Sequence, residues 1–69
     1  MQNRIKDLRQ KHDLTQDELA ERLEVSRQTI ISLEKGRYNP SLILAYKISK
    51  MFEMQIEDVF IFEEGNNNG

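Results

Sequence analysis

Apolar positions in this chain recur every three or four residues and are interrupted at short intervals by capping and turn residues, the pattern of several short helices. Asn3 can cap a first helix running to about Lys11 or His12, with Ile5 and Leu8 on one face. Thr15 opens a second: its hydroxyl can accept from a first-turn N–H, and Glu18, three residues on, completes a capping box. Leu19, Ala20 and Leu23 then face inward, while Asp17, Glu21 and Arg22 lie off that face. Ser26 offers another cap only three residues after Leu23, so the second helix must stop near Leu23 or Glu24. Ile30 and Leu33 anchor the third, which Gly36 ends where a left-handed residue is wanted. Ser41 caps a fourth helix from Leu42 to about Phe52, expected to bury Leu42, Ala45, Ile48 and Phe52. Ile56, Val59 and Phe60 fit a short fifth, for which Gln55 is a weak cap.

The second and third helices, short and joined by a tight turn, form a helix-turn-helix candidate. At about 100° per residue, Gln28, Ser32 and Lys35 stand opposite Ile30 and Leu33, with Ile31 flanking them and Arg27 projecting from the N-terminus. Arg and Gln are the side chains that bind guanine and adenine edges in bidentate fashion, and an isoleucine can pack on a thymine methyl. Arg37, Tyr38 and Asn39 follow directly on this helix and are donors suited to phosphate oxygens.

The stretch LTQDELAERLEVSRQTIISLEKGRYNPSL resembles the Cro/phage-repressor (XRE-like) helix-turn-helix family, in its short stand-alone form. Leu14-Thr15-Gln16, Glu18-Leu19-Ala20, Val25-Ser26, Ile30, Leu33-Glu34, Gly36 and Asn39-Pro40-Ser41 are all in register, and the likeness runs over about residues 3 to 60. It implies a compact all-α, five-helix, lambda-repressor-like domain with helices 2 and 3 as the motif, usually dimeric and reading an inverted repeat in double-stranded DNA. It further implies that Arg27, Gln28, Ile31 and Ser32 read bases, while Thr29, Lys35, Arg37, Tyr38 and Asn39 hold the backbone. Gln16 would contact a phosphate and brace Gln28, and Arg9 would pair with Glu34. The family commonly has glycine where this chain has Asp13, Glu24 and Glu53, so these acids are expected to carry positive-φ strain.

The chain has 69 residues and a net charge of −2, unusual for a DNA binder until it is divided. Residues 1 to 52 hold ten Lys/Arg against seven Asp/Glu, whereas residues 53 to 69 hold five acids and no base. Such a chain can turn a basic face to phosphate and an acidic one away from it. With no cysteine, a single histidine (His12), no Gly-rich phosphate loop and no acids paired across a pocket, neither catalytic nor metal-binding residues are expected, and no cofactor or small-molecule ligand is implied. No apolar run approaches the ~20 residues of a membrane span and no signal peptide opens the chain, so the expectation is a cytoplasmic protein without membrane contact.

Val59-Phe60-Ile61-Phe62 is an apolar run that one small monomer can hardly bury completely. Ile56, Val59, Phe60, Ile61 and Phe62 are therefore expected to form a homodimer interface, on a surface away from the DNA. Ile61 and Phe62 are open to an extended conformation, pairing either with the N-terminal residues or with a partner chain. The organisation that results is a DNA-binding and dimerisation unit over residues 1 to 62 and a disordered polar tail over 63 to 69. The function expected is a sequence-specific transcriptional regulator, a repressor before an activator. The alternative is a protein-interaction module that kept the fold without binding DNA.

Overall fold

Serine and threonine hydroxyls set where three of the helices begin. In the computed structural model, which describes residues 1–62, the Thr15 hydroxyl accepts from the Glu18 N–H at 3.0 Å and the Glu18 carboxylate accepts from the Thr15 N–H at 2.8 Å. Ser26 and Ser41 accept in the same way from Thr29 and Leu44, each at 3.1 Å. The elements are α1 (Ile5–Lys11), α2 (Gln16–Leu23), α3 (Arg27–Glu34), α4 (Leu42–Met51) and α5 (Ile56–Val59), an all-α fold. The tail expected over residues 63 to 69 lies outside the described residues.

Four of these helices stop by one device. After each, an N–H reaches back five residues to a helix carbonyl: Leu14 to Arg9, Val25 to Ala20, Arg37 to Ser32 and Met54 to Ser49, at 2.8–3.0 Å. The geometry requires a left-handed residue just before that donor. Gly36 fills the position after α3 with φ 73°, while Asp13, Glu24 and Glu53 fill it elsewhere with φ 56°, 60° and 56°. Three acids therefore sit where a glycine would be free of strain, each costing about 1 kcal/mol.

The core gathers Ile5, Leu8, Leu19, Leu23, Ile30, Leu33, Ile48 and Val59 from all five helices, with Leu14, Phe52 and Phe60 from outside them. α4 departs from its expected register: Leu42 is 77% exposed, and Leu44 is buried beside Ala45 and Ile48 instead. Three consecutive apolar residues open this helix, so spacing alone fits more than one inward face. Tertiary packing selects the one that continues through Leu44, Ile48 and Phe52. At the chain's ends, Asn3 and Phe60 form a single antiparallel bridge, flanked by Arg4 N–H to Val59 O and Ile61 N–H to Gln2 O, both 2.8 Å. Of the two pairings open to Ile61, the one with the N-terminal residues is made.

Candidate nucleic-acid interface

α3 is fixed to the body through one buried ion pair. Arg9 Nε donates to Glu34 Oε2 at 2.6 Å, with side chains only 11% and 5% exposed. A second Arg9 nitrogen donates to Leu14 O at 2.8 Å, and Gln16 Nε2 donates to Glu34 Oε1 at 3.1 Å. Desolvation offsets much of the Coulomb attraction in such a pair, but removing one partner leaves a buried charge and costs about 3–5 kcal/mol. Its main consequence is geometric: α1, the start of α2 and the end of α3 share one carboxylate, which fixes the tilt of α3. Gln16 is half-buried and braces Glu34; among the described residues it makes no bond to Gln28.

The face that α3 turns outward is polar and exposed. Gln28 is exposed, and among the described residues its side chain has no hydrogen-bond partner. Arg27 is exposed beside it and lies 3.8 Å from Asp17 Oδ1, an open contact that costs little to break. Ile31 and Ser32 are half-buried on the flanks of this face, with enough surface left to touch a base edge. Thr29 is tied to the helix start, its hydroxyl 3.0 Å from that of Ser26. Lys35, Arg37, Tyr38 and Asn39 are all exposed and continue the polar surface past the helix end.

The residues grouped as an apolar interface divide in two. Val59 and Phe60 are 0% and 1% exposed, so their apolar surface is spent inside the monomer, and Ile56 is half-buried. Ile61 and Phe62 remain 39% and 53% exposed. Phe62 lines an apolar hollow of about 250 Å³ with Pro40, Leu42, Ala45 and Ile56, while Ile61 and Phe62 both border Asn39. The apolar surface thus adjoins the α3–α4 loop rather than standing remote from it. Sequence reasoning missed Leu42 as part of this surface because it assigned that residue to the core. It also treated Asn3 only as a cap, although a side-chain amide carries a donor as well as an acceptor.

Two short helices joined at a left-handed turn, the second locked in tilt and bare on its outer face, constitute a helix-turn-helix unit of the kind that enters a DNA major groove. Residues 5–59 match the family described as Helix-turn-helix. The chain is 59% identical over 64 residues to an uncharacterised HTH-type transcriptional regulator of Archaeoglobus fulgidus, covering 93% of this chain and 90% of that protein. A second HTH-type regulator, from Methanocaldococcus jannaschii, is 58% identical over 93% of this chain and 97% of its own length. The cryptic phage CTXphi transcriptional repressor RstR of Vibrio cholerae is 33% identical over 93% of this chain and 58% of its own. The chain belongs to the helix-turn-helix family of transcriptional regulators: it is a DNA-binding protein and not an enzyme. Among the described residues, no helix is long and apolar enough to cross a membrane.

Proposed function

We propose that this regulator acts as a homodimer that occupies an inverted-repeat operator and thereby represses transcription. Arg27, Gln28, Ile31 and Ser32 read base edges in the major groove, and Gln16, Thr29, Lys35, Arg37, Tyr38 and Asn39 hold phosphates and fix register. One recognition helix touches too few base pairs to specify a site, and a second copy supplies the rest. The observation that carries this reading is the presence of two unlike exposed surfaces on one small body: a free polar face on α3, and an apolar one at Leu42, Ile61 and Phe62. The first suits a groove lined with donors and acceptors, and the second suits another copy of the chain. Two phage repressors among the relatives, set against one transcriptional activator, are the support for repression as the sign of regulation.

Selection of bound DNA from a random pool, combined with sedimentation of the free protein, tests the proposal. The expected product is a palindrome whose half-sites lie about one turn apart, roughly 34–36 Å, bound by a species of two chains. A single unrepeated motif, or a protein that stays monomeric at high micromolar concentration and on DNA, would overturn it.

A further inference from the structure

Asn3 stands where three parts of the molecule meet. Its Oδ1 accepts from the Ile5 N–H at 3.0 Å, at the start of α1. Its Nδ2 donates to Leu33 O at 2.8 Å, in the last turn of α3, and to Met1 O at 3.0 Å. Its backbone bridges Phe60, and the adjoining Gln2 O receives the Ile61 N–H at 2.8 Å. One half-buried side chain thus joins the end of the recognition helix to the strap of backbone that holds Ile61 and Phe62. We propose that Asn3 is a positioning residue for DNA reading, fixing the recognition helix relative to the apolar surface on which a second copy docks.

The inference rests on the dimeric reading above and deepens it. The dimer surface sets where the partner's body lies, but half-site spacing depends on how each recognition helix is held relative to that surface. The Arg9–Glu34 pair ties α3 to α1 and α2, not to the C-terminal segment. The Asn3 amide makes a side-chain link between the two, beside the Met1 amino group, which donates to Gly36 O at 2.7 Å. One base pair more or less between half-sites turns them by roughly a tenth of a turn, so slack in this link is read as tolerance of wrong spacings.

Two substitutions separate the amide's roles. Asn3→Ser and Asn3→Asp each keep an acceptor for the Ile5 N–H; the aspartate has no donor for Leu33 O, and the serine hydroxyl ends one bond short of the amide nitrogen while adding no charge. Ile5→Val serves as a control that loosens the core without touching the link. Binding is measured on an isolated half-site and on palindromes whose spacer is changed by one base pair either way. The parent should prefer its own spacing about tenfold, and both Asn3 variants should narrow this to about threefold or less. Half-site affinity of Asn3→Ser should stay within about twofold of the parent, and Ile5→Val should keep the parent's preference. Asn3 variants as selective as the parent, or equal broadening by Ile5→Val, would overturn the positioning role. A parent indifferent to spacing would instead overturn the dimeric reading on which it rests.

Discussion

α3 and α4 are near twins in construction and opposites in what they leave exposed. Each begins at a serine whose hydroxyl accepts from the N–H three residues on, and each presses two or more aliphatic side chains into the same core. α3 buries Ile30 and Leu33 and leaves Arg27 and Gln28 to solvent, with Lys35 exposed just past its end. α4 buries Leu44, Ala45 and Ile48 and leaves Leu42 and Ile43 77% and 73% exposed. Exposed polar groups on a helix cost nothing in water, so α3 is stable whether or not DNA is present. Exposed aliphatic side chains gain about 25 cal/mol for each Å² removed from water, so covering the α4 side is favourable whether or not DNA is present. The proposed function divides along this contrast, with sequence reading on one helix and assembly on the surface around the other.

The largest expected effect comes from removing the apolar side. Ile61→Ser combined with Phe62→Ser should convert dimer to monomer and cost several kcal/mol of palindrome affinity, while circular dichroism stays helical. Analytical ultracentrifugation is the check, and a double variant that still sediments as a dimer would move the interface elsewhere. Gln28→Ala strikes the polar side: specific affinity should fall by about 1–3 kcal/mol with self-association unchanged. Unaltered binding to the preferred site would mean that α3 is not read as assigned. Lys35→Ala and Arg37→Ala should each weaken specific and non-specific binding together and lower the salt slope by about one. Titrations at several salt concentrations would expose a contact to bases instead of phosphate. Smallest, and confined to neither side, Glu24→Gly should raise stability by several tenths to about 1 kcal/mol by relieving the left-handed turn. The open Glu24–Lys47 contact at 3.8 Å is too exposed to reverse that sign. A lower melting temperature in this variant would show that the acid does more than occupy the turn.

The helices were legible because most of their boundaries are local chemistry: a hydroxyl at three starts and a left-handed residue at four stops can be found without knowing the fold. The positive φ expected at Asp13, Glu24 and Glu53 is present at all three, since the turn geometry overrides side-chain preference there. The inward face of α4 was not legible. In Leu42, Ile43 and Leu44 every position is apolar, and the choice among them is made by helices distant in sequence. The same holds for Gln16, whose amide goes to Glu34 because α2 and α3 cross at that point. The division of the last apolar run was legible in part, since Val59 and Phe60 fit the spacing of the fifth helix and Ile61 and Phe62 do not. Hydrophobicity alone gives Val59 and Phe60 the same weight as Ile61 and Phe62, and the bridge to Asn3 decides which pair is covered.

That bridge also orders events in time. Asn3 and Phe60 lie near opposite ends of the described chain, so their meeting closes a loop of nearly its whole length, whereas each helix and its stop form within a few residues. The local parts can assemble quickly, and contact order gives the expectation that the ends meet last. A chain caught before closure has its motif helices formed but Phe60 still in water beside Ile61 and Phe62, which makes it the species most prone to aggregate. Phe60→Leu should accordingly speed unfolding while leaving the refolding rate close to the parent's, and slowed refolding would place the closure early. In the dimeric reading proposed above, the assembly surface is then complete only in molecules whose α3 is already seated.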